Sequence, residues 1–440
     1  MGYREEFKKN LILALPIMGG QLGQIAVNIA DNIMVGKLGA ESLAAVSIGN
    51  AVFIVFVVIG IGISYALPPL VSEADGSKNY ASLKDNIRSS MLVNISYGII
   101  AMIVIFLLLP YIYKLGQDPG ALKAAIPYLQ ISAWTMIPIM ILQGLRGYAD
   151  GMSFTLIPMI AMIIGNILNI IGNYLLIYGN LGFPALGVEG AATASLIARV
   201  LMIAVILYLI YREKRLWKHL DLNIFKSKLV YIKKILNLGI PSSLQMFFEV
   251  SAFSGAALIM GKVGKIEQAA HQISINLAST TFLICSGIGM AATIRVGNEY
   301  GLKNNDRMKM AGMSAIVQVI LFMTVAALLI FVFRTWLPLL YIDDKEVIKI
   351  TASLLIMAAI FQIPDGIQVT ALGALRGLQD VKTPTLITLV AYWFFGIPLS
   401  YYTALHTSIG YRGVWLGLIA SLSVSSVFLT LRFLRLTKAQ

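Results

Sequence analysis

Leu145-Arg-Gly-Tyr-Ala-Asp150, followed by Thr155-Leu-Ile157, returns later in the chain as Leu375-Arg-Gly-Leu-Gln-Asp380, followed by Thr385-Leu-Ile387, at a constant offset of 230 residues. Working outward, Pro16 and Gly36-Lys-Leu-Gly39 match Pro241 and Gly261-Lys-Val-Gly264 at an offset of 225. Glu73, Gly76 and Asn79 likewise match Glu299, Gly301 and Asn304. Chance produces single matches of this kind, but not a series in one order at nearly one spacing, so the chain reads as two homologous halves.

Composition says what each half is made of. Of 440 residues, 58% are AVILMFWYC and only 12% are charged, a balance that places the chain in a membrane. Apolar runs of about 20 residues or more fit helices crossing a hydrocarbon core of roughly 30 Å. The short alternating segments of a membrane barrel are absent from the pattern. The runs predict twelve spans, at 11–35, 43–71, 88–113, 124–145, 154–178, 186–211, 231–260, 267–297, 309–335, 346–374, 384–405 and 411–435. The first is interrupted by Gln21, Gln24, Asn28 and Asp31, and is expected to stay as a span rather than be removed as a signal. The expected fold is therefore all-α and polytopic, with six helices in each half. Because six is even, both halves enter from the same side, which predicts two bundles related by a pseudo-two-fold axis along the membrane normal. The expected division is an N-terminal bundle at 1–211, a linker at 212–234 and a C-terminal bundle at 235–440. A cleft between bundles that rock against each other is the expected substrate path.

Orientation follows from the bases. Alternate loops divide the 34 Lys and Arg residues so that 24 fall on one side, eight of them between Arg212 and Lys234. By the positive-inside rule that side is cytoplasmic, and both termini are expected there. The net charge of +13 would suggest nucleic acid in a soluble protein; here it predicts loops facing anionic lipid. Cys285 is the single cysteine and reads as a packing residue. His219, His271 and His406 are scattered, without ligand spacing. The phosphate cradle Gly-x-x-x-x-Gly-Lys-[Ser/Thr], the zinc helix His-Glu-x-x-His and the elbow Gly-x-Ser-x-Gly are not found, so the sequence gives an enzyme little support.

Three of the 21 acidic residues fall deep inside apolar segments: Asp31, Glu249 and Asp365. A carboxylate at a helix centre costs about 2.5 to 3.5 kcal/mol on insertion scales, and needs a partner, water or a cation. Gln245 lies one turn before Glu249, and Gln362 and Gln368 flank Asp365 at spacings of three. Pro364 removes a backbone donor beside Asp365. In the first span Gln21, Gln24, Asn28 and Asp31 share roughly an 80° arc, and Asn166, Asn169 and Asn173 form a polar stripe on the fifth. Such stripes also serve simply to hold helices together, at around 0.6 to 2 kcal/mol per hydrogen bond. Arg199 stands inside the sixth span, where it can snorkel or pair with Asp31 or a carbonyl. Gln24, Asn28, Gln245, Gln362, Gln368 and Tyr392 are candidates to line a substrate pathway, and a cation is expected at Glu249, Asp365 or Asp31.

At these residues the chain resembles the multidrug and toxic compound extrusion (MATE) family, and in particular its NorM-like bacterial branch. The resemblance rests on Ala30-Asp-Asn-Ile-Met-Val-Gly36, Phe248-Glu-Val-Ser251, Phe361-Gln-x-x-Asp365-x-Ile-Gln-Val369 and Gly373-Ala-Leu-Arg-Gly377, and covers essentially the whole chain. It implies a secondary transporter in the bacterial cytoplasmic (inner) membrane, exporting organic, often cationic, drugs in exchange for Na⁺ or H⁺. No other cofactor and no nucleic acid are expected, and the chain is expected to be a monomer. The family pattern implies cation sites at positions matching Glu249 and Asp365 in one half, and Asp31, Asn169, Asn173 and Thr193 in the other. Pro364 departs from the small polar residue of that pattern. A flippase for lipid-linked precursors, of related architecture, is the alternative; it would favour a cationic cavity, whereas this sequence puts carboxylates on the path.

Overall fold

The structure, a computed structural model, describes residues 3–115 and 119–438. The terminal residues 1, 2, 439 and 440, and with them the expected placement of the chain ends, lie outside the described residues.

Twelve helical segments are long and apolar enough to cross a membrane. The first six are α1 (Tyr3–Gly36), α2 (Ala40–Gly76), α3 (Tyr80–Ile112), α4 (Pro119–Gly151), α5 (Leu156–Tyr178) and α6 (Gly187–Arg212). The second six are α7 (Leu229–Val263), α8 (Lys265–Gly301), α9 (Asn305–Val332), α10 (Lys345–Gly377), α11 (Lys382–Leu405) and α12 (Arg412–Lys438). No strand occurs among the described residues. The segments agree with the hydropathy spans but run further, most of all at the starts of α1 and α3 and the ends of α2 and α4. Hydropathy reports only the stretch that needs oil, whereas a helix continues until capping chemistry stops it. Asn79 and Asn304, the repeat-matched turn residues, do this alike: each accepts an amide N–H three residues on, from Ser82 and Arg307, both at 3.1 Å.

Contacts divide the chain into two compact units, residues 19–243 and residues 1–18 with 244–440. The repeat predicts bundles at 1–211 and 235–440; the compact units are divided differently, each taking the first half-helix of the other repeat. The exchange falls two residues after Pro16 in α1 and two after Pro241 in α7. Each proline denies a donor to the carbonyl four residues earlier, so the matched helices are weakened at matched points.

In the C-terminal unit the start of α1 is sewn to its neighbours. Arg295 holds Glu6 at 2.6 Å and Glu299 at 2.9 Å, with Glu6 fully buried. Asn10 donates to the Ala311 carbonyl at 2.9 Å and to Ser314 Oγ at 2.8 Å. Deeper in the unit α8 and α10 cross backbone to backbone. A Cβ on Gly373 would collide with the Gly289 carbonyl, and Thr293 Oγ1 donates to the Gly373 carbonyl at 2.8 Å. Only glycine permits that approach.

In the N-terminal unit the segment expected to be a plain linker carries the helix Lys214–His219. Arg215 pairs with Asp75 at 2.6 Å, Lys228 with Asp85 at 2.6 Å and Lys234 with Glu73 at 3.1 Å. Arg88 bridges Asp85 and Asp221. Leu216 is fully buried, its carbonyl accepting from Tyr148 OH at 2.6 Å, and His219 stacks on Tyr80 with centroids 4.0 Å apart. The basic interval, expected as a linker, is thus a strap tied to α2 and α3.

Candidate ion and substrate sites

The C-terminal unit gathers one polar cluster from α7, α10 and α11. Glu249 on α7 accepts a hydrogen bond from Gln368 Nε2 at 3.3 Å. The same amide lies 3.0 Å from Tyr392 OH, and that hydroxyl lies 3.2 Å from Gln368 Oε1. Gln368 and Tyr392 are buried, while Glu249 is half-buried. Asp365, almost fully buried one turn before Gln368, has neither a hydrogen-bond nor an ion-pair partner among the described residues. α10 runs unbroken through Pro364, so the proline leaves a carbonyl without its donor but does not break the helix.

Local backbone explains how Tyr392 reaches in. α11 is not one regular helix: Val390–Gly396 is a π-helical turn between Lys382–Leu389 and Ile397–Leu405. Pro398, just beyond it, cannot donate to Phe394, and the widened turn relieves that mismatch. Within it Tyr392 faces Gln368, and the adjacent Trp393 donates to the Phe248 carbonyl at 3.2 Å. Phe253 flanks the Tyr392 ring at 6.0 Å.

The other candidates of this unit take separate partners. Gln245 accepts from Arg376 at 2.7 Å, and Gln362 accepts from Thr281 Oγ1 at 2.7 Å.

The N-terminal unit gathers its cluster from α1, α5 and α6. Asn173 Nδ2 donates to Asp31 Oδ1 at 2.5 Å and lies 3.4 Å from Asn169 Oδ1. Asn169 Nδ2 in turn donates to Ser195 Oγ at 3.2 Å. Thr193 does not join: its hydroxyl donates to the Glu189 carbonyl of its own helix at 2.8 Å. Ser195 is the residue that the sequence reading missed, because only the packing of α5 against α6 decides which hydroxyl meets the asparagines. Gln24 donates to Asn28 at 3.2 Å on an exposed face of α1, one turn from Asp31. Arg199 donates to Thr135 Oγ1 at 2.6 Å and lies 5.8 Å from the Phe53 ring centroid, with no direct ion pair to Asp31.

Both clusters offer carboxylate, carboxamide and hydroxyl oxygens, the hard donors that suit Na⁺ or a proton. No group of three His, Cys, Asp or Glu able to hold a metal occurs among the described residues.

The family model described as MatE matches residues 16–175 and 241–402. The chain belongs to the MATE family. Its two matched segments begin at or beside the paired prolines, Pro16 and Pro241, and each covers the first five helices of one half. As a MATE protein the chain is a secondary transporter and not an enzyme. It is 33% identical over 438 residues to a probable multidrug resistance protein NorM of Rhizobium meliloti, covering 98% of this chain and 94% of the relative. A protein of the same description from Pasteurella multocida is 33% identical over 440 residues, covering 98% and 94%. Among solved structures, one described as the outward-facing conformation of a multidrug resistance MATE family transporter superposes with a TM-score of 0.91 at 22% identity, over 99% of this chain and 96% of that one. That likeness shows the MATE fold.

Proposed function

We propose that this MATE protein exports small organic, often cationic, compounds across a bacterial cytoplasmic membrane, driven by inward Na⁺ or H⁺. The reading takes its substrate class from the relatives named multidrug resistance proteins. Its coupling rests on one observation: Asp365 is buried in a membrane-spanning helix with no fixed partner among the described residues, beside a second carboxylate, Glu249. Two carboxylates cannot both stay ionised in a low-dielectric interior without compensating positive charge. A proton or Na⁺ entering the cluster supplies it, with Gln368 and Tyr392 offering oxygens and Glu249 and Asp365 the charge.

Exchange follows from competition. A cation bound from outside stabilises one arrangement of the helices, and an organic cation from inside competes for the same negative charge. A tenfold gradient with 100 mV supplies about 3.7 kcal/mol per monovalent ion, enough to hold a neutral substrate roughly 500-fold out of equilibrium at one-to-one coupling. Asp31 with Asn169 and Asn173 forms the second candidate cation site, and Gln24, Asn28, Gln245 and Gln362 remain candidates along the substrate pathway. The acidic character of both clusters disfavours an anionic lipid-linked pyrophosphate as cargo.

The test is uptake of a fluorescent organic cation into proteoliposomes, with Na⁺ and H⁺ gradients imposed separately. The wild type should respond to at least one gradient, and Glu249→Gln should respond to neither while retaining the wild-type melting temperature within a few degrees. Undiminished gradient-driven transport by Glu249→Gln would refute the coupling role.

A further inference from the structure

The strap between the repeats has two faces. One, made by Arg215, Leu216 and His219, is fastened to the N-terminal unit as described above. The other is unfastened. Trp217, Leu220 and Leu222 meet Leu207, Tyr208 and Tyr211 of α6 around an open groove of about 500 Å³. Its wall is aromatic, with Tyr211 edge-on to Trp217 at 5.1 Å, and Tyr208, Tyr211 and Trp217 are about half exposed. The groove opens at the end of a membrane-spanning helix on the base-rich side, where amphipathic rings settle at the headgroup level.

Its rim is positively charged. Arg212 lies over the Tyr208 ring at 6.0 Å and donates to Tyr208 OH at 3.3 Å. Lys214 and Lys218 are exposed and form no ion pair among the described residues. The nearby acids are otherwise engaged: Asp221 binds Arg88, and Glu213 caps the strap helix through the Arg215 amide. An apolar groove at the end of a membrane-spanning helix, with Arg212 on its wall and exposed Lys214 and Lys218 next to its lining residues in the chain, matches the chemistry of an acyl chain bearing an anionic phosphate.

We infer that this groove binds an anionic phospholipid of the adjoining leaflet, with an acyl chain against Leu207, Tyr211 and Trp217 and the phosphate between Arg212 and Lys218. The lipid then seats the outer face of the strap as the ion pairs seat the inner face. This site is separate from both carboxylate clusters and does not depend on the coupling ion.

Native mass spectrometry of the delipidated full chain, titrated with phosphatidylglycerol or phosphatidylcholine of identical acyl chains, tests this. The first phosphatidylglycerol should bind several-fold more tightly than phosphatidylcholine. Arg212→Gln with Lys218→Gln should erase the preference, since each base near a headgroup is worth about fivefold in affinity, equivalent to about 1 kcal/mol. Trp217→Ala should weaken both lipids. Lys78→Gln with Lys303→Gln removes the same charge from elsewhere on the basic side and should leave the preference intact. Equal binding of the two lipids by the wild type, or equal loss in both charge variants, would overturn the assignment.

Discussion

The two polar clusters lie in the two halves of one repeat, though at unmatched positions, and they solve the problem of a charge in oil differently. In the N-terminal unit Asp31 takes a short hydrogen bond from Asn173, and Asn169 and Ser195 extend the chain of dipoles. In the C-terminal unit Gln368 is shared between Glu249 and Tyr392, while Asp365 is left to itself. A carboxylate supplied with donors can stay ionised; one buried without them must take up a proton or a cation. Under the proposed coupling, the demand for a mobile ion falls mainly on the C-terminal cluster.

The sharpest way to break that contrast is to neutralise each side. Asp365→Asn should cut ion-driven efflux by at least roughly 100-fold, the loss expected when a buried charge that recruits a counter-ion is removed. Asp31→Asn should weaken apparent ion affinity only about tenfold, on the scale of one charge-assisted hydrogen bond. Transport against ion concentration in proteoliposomes measures both, and equal losses would erase the distinction. Tyr392→Phe keeps the ring packed beside Phe253 but removes the hydroxyl that orients Gln368. It should shift the ion-dependence midpoint by about two- to tenfold, the worth of one hydrogen bond, with little change in maximal rate. Smaller still, Ser195→Ala should move the ion dependence by about twofold or more, whereas Thr193→Val should leave it unchanged, because Thr193 bonds only its own helix.

The strap gives the smallest effect, and its sign follows from titration. Arg88 beside Asp221 holds that carboxyl at about 2, below its ordinary value. Its stabilising contribution is therefore present above about pH 4 and is lost as pH falls toward 2. Burial, with Lys218, Lys84 and Arg215 nearby, pushes the His219 imidazole below its usual value. Protonating it opposes the packed strap, a cost that begins as pH falls below the unfolded value of about 6.5. Limited proteolysis at residues 212–228 should accelerate on acidification, and His219→Phe, which keeps a ring against Tyr80, should remove the part of that acceleration that sets in near pH 6.

The repeated Leu-Arg-Gly-x-x-Asp motif shows where sequence reading ends. In the first repeat Arg146 reaches Asp150 of its own helix at 3.4 Å. In the second, Arg376 turns to Gln245 at 2.7 Å and Asp380 to Arg432 at 2.8 Å. Identical residues at matched positions have different partners because side-chain contacts depend on neighbours far away in the chain. Thr193 and Ser195 make the same point two residues apart: on one helix they face different surroundings, and nothing local tells which meets Asn169. The π-helical turn that presents Tyr392 was equally hidden, since Pro398 announces a mismatch but not the direction in which it is relieved.

What the sequence determined by itself was everything set by the solvent: twelve apolar helices in two sixfold repeats, the basic side, and three carboxylates too costly to leave in hydrocarbon without a purpose. Hydrophobic length and charge act along the chain, so they can be read along it. Only the tertiary structure decided that Asp31 has a fixed donor while Asp365 has none among the described residues, that the packing units exchange half-helices just after Pro16 and Pro241, and that the basic linker folds into a two-faced strap. Those outcomes rest on hydrogen-bond distances of about 3 Å between residues up to hundreds of positions apart, a scale that only packing sets.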